Sequence, residues 1–337
     1  MKVAIQVVLY KSSSFLAPLL ESLKAQTYND FELYFFDNSV DAAESARSQS
    51  IISSLVPHFT FLSSNKNIGF TAHNELFAQH DAPLVFVLND DTLLEPHCLE
   101  RLVAMMESEQ RMASVTPLIF RVPRGTSARP VVSDELIVDS AGHEYRYLSD
   151  IRDIGSGRVW GEVKDELAKS GPVFGVAGTA ALYRRKAVLA VSPDGTLFDP
   201  TFFMYKEDVD LDLRFRRGGW KSWRASSAVL FHARSIAGTP SVSLSRLAQE
   251  RARSPILRRW SYRNTHCLYT YHWSLKLGFR DVVFGLGFEL MRSLGVFVAS
   301  PKVWFGAMLD VARGLPASYR RRKKMEQMGL KYVRFIS

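Results

Sequence analysis

Glu207, Asp208, Asp210 and Asp212 place four carboxylates in six positions, directly after the apolar run Phe202-Phe203-Met204-Tyr205. Acids at the start of a helix are favoured by its dipole. Asp210 with Arg214, and Asp212 with Arg216, have i,i+4 spacing and are expected to pair on an exposed helix face. Capping and solvation thus account for two of the four. Glu207 and Asp208 are left at the helix mouth, where a carboxylate facing a pocket accepts a proton from a substrate. A second acidic pair, Asp90-Asp91, follows the apolar run at 84–88, and His232 closes another at 228–231. Two acidic corners and a histidine are the materials of a metal-assisted transfer site. One side chain takes a proton, and the others hold a cation against an anionic leaving group.

Such residues need a scaffold that carries them to one place. Residues 3–9 form a nearly unbroken apolar run, which suits a strand buried on both faces of a parallel sheet. Ser12 or Ser13 caps a helix with Phe15, Leu16, Leu19, Leu20 and Leu23 along one stripe. Strands are expected at 31–36, ending in Asp37-Asn38, at 59–62, at 84–88 and around 113–120. Helices are expected at 41–55, at 70–79 behind the loop from Asn65 to Gly69, and at 96–106. This alternation predicts an α/β, Rossmann-like, mostly parallel sheet flanked by helices, with ligands beyond the strand carboxyl ends. Asp37, Asn67 and Asp90-Asp91 fall at such ends. Residues 121–172, rich in Gly, Pro, Ser and charge, read as an irregular excursion over the acceptor side. A helix at 206–217 stops at Gly218-Gly219, and short strands at 220–223 and 228–231 present His232. Beyond Pro240 helix-like segments take over, dividing the chain into a catalytic domain, 1–239, and a helical basic region, 240–337.

A hydrophobic content of 47% over 337 residues excludes global disorder. Cys98 and Cys267, far apart, build neither a disulfide framework nor a zinc site and fit a reducing compartment. The first residues read as a strand rather than a secretory leader, so a cytoplasmic protein is expected. No glycine-rich dinucleotide fingerprint follows the first strand and no phosphate-loop motif occurs, which sets aside nicotinamide enzymes and P-loop ATPases. A bound nucleotide must then be held by carboxylates and a metal. A strand-end acid accepts bonds from ribose hydroxyls or a base N–H, and a cation bridges the diphosphate to Asp91. The net charge of +9 is uneven: from Pro240 onward 18 Lys+Arg face 5 Asp+Glu, giving +13 there and −4 before it. Arg313, Arg320, Arg321, Arg322, Lys323 and Lys324 cluster without an acid among them, and an anionic membrane surface is the expected partner. Glu289 and Arg292 interrupt the apolar stretch 281–299, so a monotopic contact is expected rather than a span. Nucleic acid is not expected, because no binding motif accompanies the cations.

Taken in order, VVLY at 7–10, Asp37-Asn38, NKNIGF at 65–70 with Asn74, LNDDT at 88–92, GTAALYRR at 178–185 and FDPTFFMYKEDVDLDLRFRRGGW at 198–220 resemble a family 2 inverting glycosyltransferase of the GT-A fold. The resemblance is greatest to the bacterial rhamnosyltransferase-type branch. It covers roughly residues 3–232 and extends loosely to Ser261-Tyr262-Arg263-Asn264. It implies that Asp37 binds the base or ribose beside the Leu9-Tyr10 backbone, and that Asn67, Gly69 and Asn74 shape a loop close to the nucleotide sugar. Asp90 would reach the ribose. Asp91 and His232 would ligate Mg²⁺ or Mn²⁺, with Asn89 where the family's motif begins with an acid. Asp208 would be the general base, and Glu207 would orient the site or hold the acceptor. The implied reaction moves L-rhamnose from dTDP-L-rhamnose, or a sugar from a UDP-sugar, to a hydroxyl of a growing lipid-linked surface glycan. It would take place at the inner face of the cell membrane, with the C-terminal helices available for membrane or homo-oligomer contacts. The alternative built on the same aspartates is a metal-dependent nucleotide-sugar hydrolase or pyrophosphatase.

Overall fold

The structure is a computed structural model that describes residues 1–148, 150–234, 254–279 and 281–332. The expected boundary at 239/240 lies outside the described residues. Strand β1 (Val3–Leu9) is buried along nearly its whole length because it runs between β2 (Phe31–Asp37) and β4 (Leu84–Asn89), parallel to both. Strand β3 (Thr60–Ser63) extends this parallel half beyond β2. Helix α1 (Ser13–Lys24) buries Leu16, Leu19, Leu20 and Leu23 against it. At roughly 2 kcal/mol per buried leucine, that stripe is what docks the helix. Helices α2 (Ala42–Leu55) and α3 (His73–Phe77) follow their strands. The helix expected at 70–79 is shorter, a 3₁₀ turn at Phe70–Ala72 continued only to Phe77.

The other half of the sheet is mixed rather than parallel. After β5 (Thr92–Leu94) and α4 (Cys98–Glu107) the chain enters β6 (Met112–Pro123). The stretch expected to be irregular instead contains β7 (Ile137–Ser140), β8 (His143–Tyr147), β9 (Asp150–Asp153), α5 (Trp160–Leu167) and β10 (Gly171–Val173). Strand β11 (Ala180–Arg184) then returns antiparallel between β4 and β6. Helices α6 (Arg185–Val191) and α7 (Glu207–Arg217) lead to β12 (Lys221–Arg234). That strand is one continuous element with an irregularity between Ala225 and Val229, where two short strands were expected. The order across the sheet is β10-β12-β6-β11-β4-β1-β2-β3.

The C-terminal region consists of α8 (Pro255–His272), α9 (Leu286–Ala299) and α10 (Pro301–Gln327). It is packed onto the catalytic domain, with Tyr262, Asn264, Leu268, Tyr271 and His272 of α8 buried. The basic cluster on α10 does not face solvent as a unit. Arg321 is 7% exposed and pairs with Asp194 at 2.6 Å and Asp199 at 2.8 Å, and Lys324 reaches Asp194 at 2.5 Å. Two of the six expected membrane cations thus hold the helix to the body instead. The apolar stretch also differs from expectation. The helix at Val282–Ala299 is long and apolar enough to cross a membrane by length and composition alone. Glu289 and Arg292 do not break its outer face, because they pair with each other at 2.7 Å and Glu289 turns inward to His266 at 3.5 Å.

Candidate active site

Strand register brings the nucleotide-side residues to one edge. Leu9 lies opposite Asp37, and Val8 opposite Asn89, so β1, β2 and β4 end level with one another. The Leu9 side chain is core, and only its backbone faces the edge, its carbonyl accepting the Asn38 N–H at 2.8 Å. Tyr10 beyond it is exposed, while Asp37 is buried and accepts the Ser39 N–H at 2.9 Å. Asn38 organises the neighbouring loop, donating to Gly69 O at 2.7 Å and accepting from Ile68 N at 3.1 Å. Asn67 accepts from Gly69 N at 2.8 Å. Gly69 has φ +72°, and a Cβ there would lie 2.1 Å from the carbonyl oxygen of Phe203. Only glycine permits that approach. Asn74 is committed elsewhere: its amide donates to Phe198 O at 2.9 Å and accepts from Phe198 N at 2.8 Å. It ties α3 to the loop before α7, which removes its side chain from the ligand-facing set.

The Asp90-Asp91 turn makes the first acidic corner. Burial, and then the charge of Asp91, raise the Asp90 carboxyl to about 6. Asp91 Oδ1 lies 3.1 Å from His232 Nε2, and the other ring nitrogen of His232 lies 2.8 Å from Asp139 Oδ2. Asp139 is held in turn by Arg121 Nε at 2.7 Å. Burial opposes a charged ring at His232, but the bonds to Asp139 and Asp91 outweigh it and raise the pKa to about 9. A carboxylate behind an imidazole is the arrangement that orients a metal-binding histidine. Asp91 and His232 are donors of the kind that would hold a divalent cation. Among the described residues no group of three or more His, Cys, Asp or Glu side chains encloses a metal by itself.

The second corner is the N-terminus of α7. Asp208 Oδ2 accepts from Gly178 N at 3.0 Å, and its Oδ1 accepts from Val209 N at 2.7 Å. Glu207 is buried, and its Oε2 has no hydrogen-bond partner among the described residues. Burial and the adjacent charge of Asp208 push its carboxyl well above the usual range, so Glu207 holds a proton. The next two acids do not sit on an exposed face, contrary to the spacing argument. Asp210 does pair with Arg214, at 2.8 Å, but both are fully buried, and His272 completes the cluster at 2.9 Å. Asp212 leaves Arg216 to bond the Phe174 carbonyl and pairs instead with His143 Nδ1 at 2.7 Å. Gly175 makes room for it, since a Cβ there would lie 1.8 Å from Asp212 Oδ2.

His143 was not singled out by sequence. Its Nε2 points at Asp208 Oδ2 from 3.9 Å and at Asp153 Oδ1 from 3.7 Å. Burial disfavours its charge, yet the Asp212 bond and the neighbouring carboxylates raise it to about 9. The same short stretch, β7 to β8, thus supplies Asp139 to the first corner and His143 to the second. The corners themselves meet across one turn. Asn89 N donates to Thr179 O at 2.9 Å while the adjoining Gly178 N donates to Asp208. Phe70 closes on Gly178 from the loop side, 3.3 Å from where a Cβ would stand.

The sequence profile of glycosyl transferase family 2 matches residues 4–191, more than half of the chain. The chain belongs to that family. Its fold is similar to a crystal structure of GalNAc-T7 with UDP, GalNAc and Mn²⁺, at a TM-score of 0.59 and 11% identity, covering 95% of this chain and 58% of that one. The chain thus spans little more than half the length of that neighbour. A crystal structure of Staphylococcus aureus TarS 1-349 aligns at a TM-score of 0.47 and 13% identity, over 96% of this chain and 92% of that one. No curated protein matches the sequence. Within this family 2 glycosyltransferase the loop preceding α7 is strained, with Phe203, Tyr205 and Lys206 at φ 61°, 70° and 73°. Such backbones cost on the order of 1–3 kcal/mol each and persist only where neighbours over-determine them. Asn264 of α8 does so, its amide nitrogen lying within 2.9 Å of the carbonyls of Phe202, Met204 and Tyr205. The Arg263-Asn264 pair was visible in the sequence, and its partner was not.

Proposed function

We propose that the enzyme is a metal-dependent inverting glycosyltransferase in which Asp208 is the general base. The observation that carries this reading is the shared turn: Asn89 bonds Thr179 while Gly178 bonds Asp208, so the cation-binding and proton-accepting corners adjoin. Environment separates the two acids at the mouth of α7. Burial and the charge of Asp208 favour the protonated form of Glu207, while Asp208 is less buried and faced by two main-chain N–H groups and the His143 ring, and is the member we assign as base.

The acceptor hydroxyl gives its proton to Asp208 as its oxygen bonds to the anomeric carbon from the face opposite the leaving group. The bond from that carbon to the nucleoside diphosphate breaks, and the diphosphate leaves with the electron pair, inverting the centre. A divalent cation held by Asp91 and His232 would supply positive charge to the departing diphosphate. Asp37 and Asp90 face the nucleoside, protonated Glu207 donates to the acceptor, and the Asn38-held loop covers the donor. The donor we propose is dTDP-L-rhamnose, on the strength of the motif resemblance, and the acceptor a lipid-linked glycan. The place is the cytoplasmic membrane face, supported by the exposed apolar side of α9 formed by Leu286, Leu290, Met291, Leu294 and Val298.

A thermal-shift screen of dTDP, UDP and GDP, each with and without Mn²⁺, should show a metal-dependent rise for one nucleotide. With the matching sugar donor, Asp208→Asn should abolish transfer and leave donor binding intact by calorimetry. Turnover retained in that variant would remove Asp208 from the base role.

A further inference from the structure

A cleft of about 560 Å³ opens between α8 and α10, lined by Ile256, Arg259, Trp260, Arg263, Asp310 and Arg313. Its charges do not balance. Arg259 is spent on Asp310 in a two-pronged pair with both contacts at 2.7 Å. Arg263 donates one arm to the Thr201 carbonyl and to Asn264 Oδ1, and its buried Nε has no partner among the described residues. Arg313 is exposed and makes no ion pair among the described residues. Three guanidinium groups thus line the cleft with the single carboxylate of Asp310, which feels all three, and the excess of positive charge suits a dianion with several acceptor oxygens.

The cleft is continuous with the catalytic loop. Trp260 stacks on Phe203 with ring centroids 5.0 Å apart, and Arg263 lies over Trp260 at 5.6 Å. Phe203 is the residue whose carbonyl Gly69 approaches, four positions before Glu207. The lining also offers apolar surface, Ile256 at 61% exposure and the ring of Trp260. A cationic cleft beside the catalytic loop, with apolar surface in its lining, fits an amphiphile with a phosphorylated head.

We infer that this cleft binds the phosphate or diphosphate of a lipid-carried acceptor, with Arg263 and Arg313 on its oxygens and its chain leaving across Ile256. The inference rests on the transfer reading above and adds a subsite to it. Geranyl diphosphate is a suitable probe, titrated by calorimetry into the full chain in metal-free buffer so that the diphosphate is not drawn to Asp91 and His232. Binding should be measurable, stronger than for inorganic pyrophosphate and absent for geraniol. Arg313→Ala should weaken it by about tenfold, as expected for one charge-assisted contact, and Arg313→Lys should restore part of it. Equal affinity in wild type and Arg313→Ala, or no binding in either, would overturn the proposal. So would loss of binding to phosphatidylglycerol vesicles in Arg313→Ala with geranyl diphosphate binding unchanged, since the cleft would then read bulk lipid head groups. Arg313 lies outside the donor machinery, so the variant's Mn²⁺-dependent nucleotide shift should match wild type. That control separates failure of this subsite from failure of the transfer reading.

Discussion

Replacing His143 with glutamine tests the second corner most directly. Holding His143 at about 9 instead of 6.5 stabilises the fold by about 3 kcal/mol. Holding Asp212 at about 6 instead of 3.8 costs about 3 kcal/mol. The intact pair nets close to zero, as buried ion pairs often do, whereas removing one partner strands the other charge at a cost of about 3–5 kcal/mol. His143→Gln leaves Asp212 fully buried with one main-chain donor, Val176 N at 3.2 Å. The pH dependence follows from the signs. The His143 contribution is complete below pH 6.5 and is lost as pH rises through about 9. In the variant the Asp212 carboxyl rises further, so stability falls as pH climbs from the unfolded value of 3.8. Urea unfolding should therefore show a deficit already near pH 5, where the whole His143 contribution is missing, the largest near pH 7, and a smaller one above pH 9. His143→Gln combined with Asp212→Asn should recover most of the stability without the cation beside Asp208. Transfer in the double variant should stay about tenfold down, equivalent to about 1.4 kcal/mol of barrier. A deficit that does not vary with pH would refute the electrostatic argument. Full activity in the double variant would show that His143 only supports the fold.

Other perturbations address separate parts of the site. Asp91→Ala should weaken nucleotide binding only when Mn²⁺ or Mg²⁺ is present; equal weakening in EDTA would place Asp91 outside the metal shell. Gly69→Ala forces a Cβ to 2.1 Å from the Phe203 carbonyl at a φ of +72°, so it should cost about 1–3 kcal/mol by thermal unfolding and lower transfer. Unchanged melting would mean that the loop simply moves aside. Asn264→Ala removes the clamp on three carbonyls and should lower kcat more than it raises the donor KM, while stability drops by about 1–3 kcal/mol. An effect on stability with no change in kcat would detach that loop from catalysis.

The parallel half of the sheet, the nucleotide-side strand ends and the Glu207-Asp208 pair were all legible from the chain. Each is a local consequence of an apolar run and the polar residue that closes it, and local patterns survive without knowledge of the partner strand. The sequence also displayed Asp210 and Asp212, but its i,i+4 spacing placed both on an exposed face. Tertiary structure buried them and gave Asp212 to His143, which is 69 residues away. The support of His232 by Asp139 spans 93 residues, and Asp139, like His143, comes from a stretch whose Gly, Pro and charge content hides short strands. The pairing of Arg321 with Asp194 crosses 127 residues and turned expected surface charge into a domain tie. Hydrophobic periodicity reports which face of an element is buried. It carries no information about which distant polar group will meet another there, because that choice is made by the packing of whole elements and by the cost of leaving a buried charge alone.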